Sequence, residues 1–198
     1  MDMSLIYFLM GKSASGKDEL AKRLLSDKEL DLKPVVLYTT RPKREGEKDG
    51  REYNFINEKE RLRLKEQGRV IEERVYHTVS GDWYYLTVAD EKLSADTPDD
   101  FFVINTLEAF VRYREYFGAD RVIPLYVEVS PDIRKQRALE REKRQENPNI
   151  KEVERRFKAD NEDFSEDKLA AAGIVKRFSN DGKIEECFGE LKAEIMSY

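Results

Sequence analysis

Residues 4–10 (SLIYFLM) form an unbroken apolar run. That is the pattern of a strand buried on both faces. Similar runs occur at 35–38 (VVLY), 101–105 (FFVIN) and 122–129 (VIPLYVEV). Between them the polar positions return at helical spacing. Residues 18–26 place Leu20, Leu24 and Leu25 on one side of a helix, and 59–67 predict a charged helix that Gly68 ends. A helix falls between residues 105 and 122. Two charged helices, 131–144 and 150–164, flank QENPN at 145–149, an exposed tip. Residues 70–76 and 83–88 read as strands joined by a turn at Ser80-Gly81-Asp82, and 173–178 as a last strand before a C-terminal helix. Residues 41–51, with Pro42, Gly46 and Gly50, read as a loop. Apolar strands alternating with helices predict an α/β fold, a parallel sheet with helices on both faces; the central strand pair suits a small inserted lobe.

Composition narrows the picture. A chain of 198 residues suits one domain with an ample core. Ten Phe, ten Tyr and one Trp argue against disorder. The net charge of −5 speaks against general nucleic-acid binding. The single cysteine, Cys187, cannot form an internal disulfide and reads as a small core residue, which suits a reducing cytoplasm. The opening MDMSLIYFLMGK lacks a basic start, so its apolar run is expected to be a strand and not a signal peptide. No stretch is long enough to span a membrane. His77 stands alone, and no Cys/His cluster suggests zinc.

Candidate chemistry begins at Gly11-Lys12-Ser13-Ala14-Ser15-Gly16-Lys17. GxxxxGK between a strand and a helix is the pattern of a phosphate-binding P-loop. The glycines let the backbone curl so that amide N–H groups point inward, and the helix N-terminus adds positive potential. Lys17 is expected to reach the outer phosphates of ATP. The motif then calls for a Ser or Thr whose hydroxyl holds Mg²⁺, and this chain has Asp18. A carboxylate there could ligate the ion or one of its waters. It could equally be a helix-start acid facing the dipole. Both readings stay open.

Residues 38–55 read YTTRPKREGEKDGREYNF. This stretch resembles the guanylate kinase family, whose pattern is close to S-x-TTRxxRxGExxGxxYxF. Thr39, Thr40, Arg41, Arg44, Gly46, Glu47, Gly50, Tyr53 and Phe55 match. The resemblance runs from the P-loop to the last helix. It implies a P-loop kinase core (residues 1–36, 89–130 and 165–198), a monophosphate-binding lobe (37–88) and a helical lid (131–164). It implies that Arg41, Arg44 and Tyr53 surround the phosphate of a nucleoside monophosphate with charge-assisted and hydroxyl hydrogen bonds. Glu72, in VIEER, falls where the family reads the guanine edge. In SGDWYYLTV, Tyr84 matches the tyrosine near the phosphate, and Thr87 remains as a hydroxyl. Arg137 and Arg141 match lid arginines that clasp phosphates, four residues apart on one helix face. Arg156 matches a further arginine at the transferring group, and Asn180 a position beside the adenine of ATP. Four positions depart from the pattern: Leu37 replaces a serine near the base, Tyr85 and Leu86 replace small and hydroxyl residues, and Asn105 replaces an acid.

The resemblance implies ATP-dependent phosphorylation of a nucleoside monophosphate, with GMP foremost, Mg²⁺ accompanying ATP, and a cytoplasmic monomer or homodimer that binds neither nucleic acid nor membrane. Lys17, Arg41, Arg137, Arg141 and Arg156 would carry the catalysis. Two alternatives stay open. One is a kinase for another phosphate monoester such as a deoxynucleotide; GKD also resembles phosphomevalonate kinases and phage deoxynucleotide kinases. The other is a non-catalytic guanylate kinase-like binding module.

Overall fold

The computed structural model describes residues 4–78, 81–90, 93, 97–146 and 148–198. The chain opens with β1 (Ile6–Met10), the phosphate loop and α1 (Lys17–Ser26), then β2 (Lys33–Pro34). A second group follows: β3 (Tyr38–Thr39), β4 (Asn54–Phe55), α2 (Glu58–Glu66), β5 (Val70–Thr78) and β6 (Gly81–Val88). The chain then returns through β7 (Phe101–Ile104), α3 (Leu107–Phe117) and β8 (Val122–Glu128). It continues into the helices α4 (Pro131–Lys143), α5 (Ile150–Asp163) and α6 (Glu166–Ala171), and ends with β9 (Phe178–Ser179) and α7 (Ile184–Ile195).

Five strands form a parallel sheet in the order β2-β7-β1-β8-β9. The apolar run of β1 explains its central place, because both its faces are covered. Ile6, Phe8 and Met10 join a cluster with Phe110 and Tyr113 of α3, Phe8 meeting both rings edge-on at 5.4 and 5.0 Å. Tyr7 and Leu9 point the other way, into a cluster with Leu20 and Leu24 of α1 and Leu191 and Ile195 of α7. Cys187 lies in that second cluster, where burial pushes its thiol up to about 11, as expected of a small core residue.

The second sheet, in the order β4-β3-β6-β5, is mixed: β3 runs parallel to β4 and antiparallel to β6. The hairpin β5–β6 extends further than the sequence pattern predicts, and only Gly81 and Asp82 of the expected turn lie among the described residues. Likewise Asn147, in the expected tip at 145–149, lies outside them.

Two expectations are corrected. Residues 35–38 are not one buried strand. The chain leaves the parallel sheet after Pro34, where β2 pairs with β7, and enters the mixed sheet at Tyr38, where β3 pairs with β6. The apolar VVLY run bridges two sheets, and Val35 packs against the first core while Tyr38 packs in the lobe. Residues 173–178 do not form a strand either; only Phe178 and Ser179 pair with β8. Gly173, at φ 72°, follows α6 as its stop, and Ile174 plugs the core instead of joining a ladder. Among the described residues, no helix is long and apolar enough to cross a membrane.

Candidate active site

The phosphate loop leaves the C-terminal end of β1 and passes into α1 through Gly16, whose φ of 85° lies in the left-handed region. A side chain at Gly16 would also meet Asn180 Nδ2 at 2.5 Å. That amide donates to Ser15 O at 2.8 Å, so the turn after β9 braces the loop from below. Ser15 Oγ and Asn180 Oδ1 are buried beside the loop with no partner among the described residues. A cleft of about 560 Å³ opens above it. Ser13, Ala14, Gly16, Lys17, Asp18 and Asn180 line it, joined by Arg137, Arg141 and Arg156 from α4 and α5. The residues expected around ATP are thus brought together from four parts of the chain; Gly11 and Lys12 lie at the foot of the loop, Lys12 Nζ donating to Asn161 Oδ1 at 3.2 Å.

Two of these arginines are held, and none is buried. Arg137 Nη1 donates to Asn180 O at 2.8 Å, and Arg156 Nε to Glu152 Oε1 at 2.9 Å. Arg155 and Arg156 together hold the Glu152 carboxyl down at about 2. Asp18 is exposed at 74% of its side chain, 3.7 Å from Lys17 Nζ, on the rim of the cleft. Among the described residues, no group of three His, Cys, Asp or Glu side chains could hold a metal unaided.

A second cleft, of about 460 Å³, lies on the mixed sheet and is lined by Leu37, Tyr53, Arg74, Tyr76, Trp83 and Tyr85 among others. One end carries Arg41, only 4% exposed. Its Nη1 and Nη2 donate to Glu47 Oε2 and Oε1 at 3.0 and 2.7 Å, a bidentate pair. The same Glu47 carboxylate accepts the backbone N–H of Arg44 at 2.7 Å, so one acid folds the whole loop. Glu47 raises the Arg41 guanidinium above its ordinary range against the opposing pull of burial, and Tyr85 adds in the same direction. The Arg41 guanidinium sits 5.3 Å from the Tyr53 ring, and Tyr53 meets Tyr85 edge-on at 5.5 Å. The Arg44 side chain stands exposed on the loop.

The other end carries Glu72. Its carboxylate lies 2.5 Å from Arg74 Nε and within 3.5 Å of Thr87 Oγ1 and Asn105 Nδ2. Thr87 and Glu72 are directly opposite across β5 and β6.

Tyr84 is not where the resemblance puts it. Side chains alternate along a strand, and on β6 the cleft face carries Trp83, Tyr85 and Thr87. Tyr84 points the opposite way, packing with Leu64 and Leu86 beneath α2, with the Arg61 guanidinium 3.7 Å above its ring. On this register it is Tyr85, not Tyr84, whose ring meets Tyr53 beside Arg41, and Thr87 follows opposite Glu72. Alternation also explains Leu86, which is fully buried on the far face and never meets the cleft. Sequence reading missed Tyr85 and Arg74. Period-two spacing from Glu72 and Thr87 would have found both.

Parts of the chain are similar in sequence to known proteins, and the whole is similar in fold. The family model for guanylate kinase matches residues 3–93. A guanylate kinase of Porphyromonas gingivalis is 29% identical over 127 residues, 63% of this chain and 65% of that protein. A guanylate kinase of Anaplasma phagocytophilum is 35% identical over 82 residues, 41% of this chain and 38% of that protein. The matched segments thus span less than two thirds of these relatives' length. The crystal structure of guanylate kinase from Anaplasma phagocytophilum superposes with a TM-score of 0.59 at 19% identity, covering 100% of this chain and 87% of that one, and so shares its fold. The phosphate loop and the Arg41–Glu47 loop both lie inside the matched residues, so it is the N-terminal half of the chain, with both loops, that is similar to guanylate kinases.

Proposed function

We propose that the protein transfers the terminal phosphoryl group of ATP to a nucleoside monophosphate, GMP foremost. The observation that carries this reading is the presence of two separate phosphate-sized arrangements on one chain. One is the loop with Lys17, Arg137, Arg141 and Arg156. The other is the Arg41, Tyr53 and Tyr85 group with Glu72 beyond it.

In this reading the loop amides and Lys17 hold the outer phosphates of ATP, and the ring-bearing end of the nucleotide reaches Asn180. Arg41, held in place by Glu47, binds the acceptor phosphate with Arg44 and the tyrosine hydroxyls. The acceptor oxygen is already anionic, so no protein base is needed, and catalysis consists of positioning and charge neutralisation. Arg137, Arg141 and Arg156 come from helices that act as a lid, excluding water so that ATP is not hydrolysed instead.

The residues fit a Mg²⁺ that arrives on ATP. Two exposed carboxylates, Asp18 and Glu19, line the cleft, Asp18 beside Lys17, and Mg²⁺ typically keeps several waters and takes only one or two protein oxygens. Bound there, the ion would neutralise charge on the phosphate oxygens.

A panel of GMP, dGMP, AMP and UMP with ATP, read by ADP release in a coupled assay, tests the proposal. GMP should give the highest kcat/KM. A higher value with another monophosphate reassigns the acceptor, and no ADP release with any of them returns the chain to a binding module.

A further inference from the structure

On β5, Glu72, Arg74 and Tyr76 share one face, paired across the hairpin with Thr87, Tyr85 and Trp83. Arg74 Nε lies 2.5 Å from Glu72 Oε1, and Arg74 Nη2 donates to Asn105 Oδ1. That Oδ1 also accepts the Thr106 N–H at 2.9 Å, which fixes the amide with its Nδ2 toward Glu72. Arg74 is therefore gripped from two sides at the end of the cleft. Among the described residues its Nη1 has no protein partner, and the side chain lines the cleft. Its remaining N–H groups are available to a ligand.

Resting on the proposed function, we infer that Arg74 is a base-specificity residue, acting with Glu72 as one recognition unit. A carboxylate beside a guanidinium presents acceptor, acceptor, donor in a row. The edge of guanine runs 2-amino donor, N1–H donor, 6-oxo acceptor, which is the complement. Adenine offers a 6-amino donor to Arg74 and a bare N1 lone pair to Glu72, two opposed contacts. Leu37 has no hydrogen-bonding group at the base end, so Arg74 supplies the donor to the 6-oxo oxygen. Buried polar groups left unpaired by the wrong base are a strong source of discrimination.

Kinetics with GMP, IMP and AMP on the full chain, the wild type against Arg74→Met and Arg74→Lys, test this. IMP keeps the 6-oxo group and N1–H but lacks the 2-amino group. Arg74→Met should lower kcat/KM for GMP and IMP by the same factor, about 10- to 100-fold, as for one desolvated charged hydrogen bond. AMP turnover and the KM for ATP should stay within about twofold, and a melting curve confirms the fold. Arg74→Lys, which keeps one cationic donor, should recover part of the loss, and it carries the same comparison should Arg74→Met not fold. Equal losses with all three monophosphates would show a structural role and overturn the inference. A loss with GMP but not IMP would show that Arg74 acts only through Glu72, and would also overturn it. A wild type that binds no purine monophosphate overturns the proposed function itself, a result already visible before any substitution is made.

Discussion

The backbone N–H of Ser13 donates to Asp160 Oδ2 at 2.9 Å, tying the phosphate loop to the C-terminal half of α5. Ser13 Oγ reaches the other carboxylate oxygen at 3.2 Å. Behind Asp160 lies Arg134, only 2% exposed, its Nη1 3.5 Å from the carboxylate and its guanidinium 4.2 Å from the Phe157 ring. Asp160 thus does two things at once: it fixes the loop and balances a buried cation. Asp160→Ala strands that charge, and should lower stability by about 2–4 kcal/mol in denaturant unfolding. The double variant Arg134→Met with Asp160→Ala should lose less than the single one. If the double loses as much or more, the Asp160–Arg134 pair is not what the single substitution breaks.

The register of β6 gives a paired prediction. Tyr85→Phe removes a hydroxyl from the Arg41 cluster, and should raise the KM for the acceptor about 3- to 10-fold while leaving that for ATP unchanged. Tyr84→Phe keeps the ring that packs under Arg61 and should change neither beyond about twofold. The reverse ranking would restore Tyr84 to the phosphate.

Glu47 makes the lobe sensitive to acid. Its carboxyl is held at about 2 by Arg41 and by the Arg44 N–H, against 4.5 ordinarily. A depressed folded value means that the Arg41–Glu47 contribution is complete above pH 4.5 and is lost as pH falls toward 2. The Tm of Glu47→Gln should therefore lie below that of the wild type at pH 6, and the gap should narrow steadily as the pH is lowered to 2.5. A gap that stays constant across that range would show that the carboxylate charge contributes nothing to stability.

Asp18 stands exposed on the cleft rim beside Lys17, where it can meet a hydrated ion. Asp18→Ala should raise the Mg²⁺ concentration for half-maximal rate several-fold, and Asp18→Ser should restore much of it. Titration of Mg²⁺ at saturating substrates decides the matter: curves like those of the wild type would leave Asp18 as a helix-start residue facing the dipole.

Much of the fold is legible in the sequence because β1, β7 and β8 are buried on both faces, and such strands announce themselves as apolar runs. The loop from Gly11 to Lys17 and the stretch from Tyr38 to Phe55 are legible because their spacing is fixed by what backbone and arginine must do near a phosphate. What escaped depends on which face a residue takes. Tyr84 and Tyr85 are chemically alike, and only pairing with β5 decides between them. Arg74 in VIEER reads as one more charge on an exposed strand until Asn105, 31 positions away, is seen to hold it. The Asp160–Ser13 contact spans 147 positions, and nothing local to either residue signals it. The bridging role of Val35–Leu37 escaped for a related reason: hydrophobicity reports burial, not which of two sheets does the burying.

Among the described residues the two sheets share no strand pairing, and the segment after Pro34 carries the chain from one to the other. The mixed sheet meets the main core through Ile71 of β5, next to where Asn105 reaches Glu72. Any rotation about that seam breaks no ladder hydrogen bond in either sheet. Glu72, Arg74 and Tyr85 would move together, because Arg74 and Tyr85 are paired across the hairpin. A ligand held on the mixed sheet would keep its contacts through such a rotation, so its recognition and its approach to Lys17 would be separable.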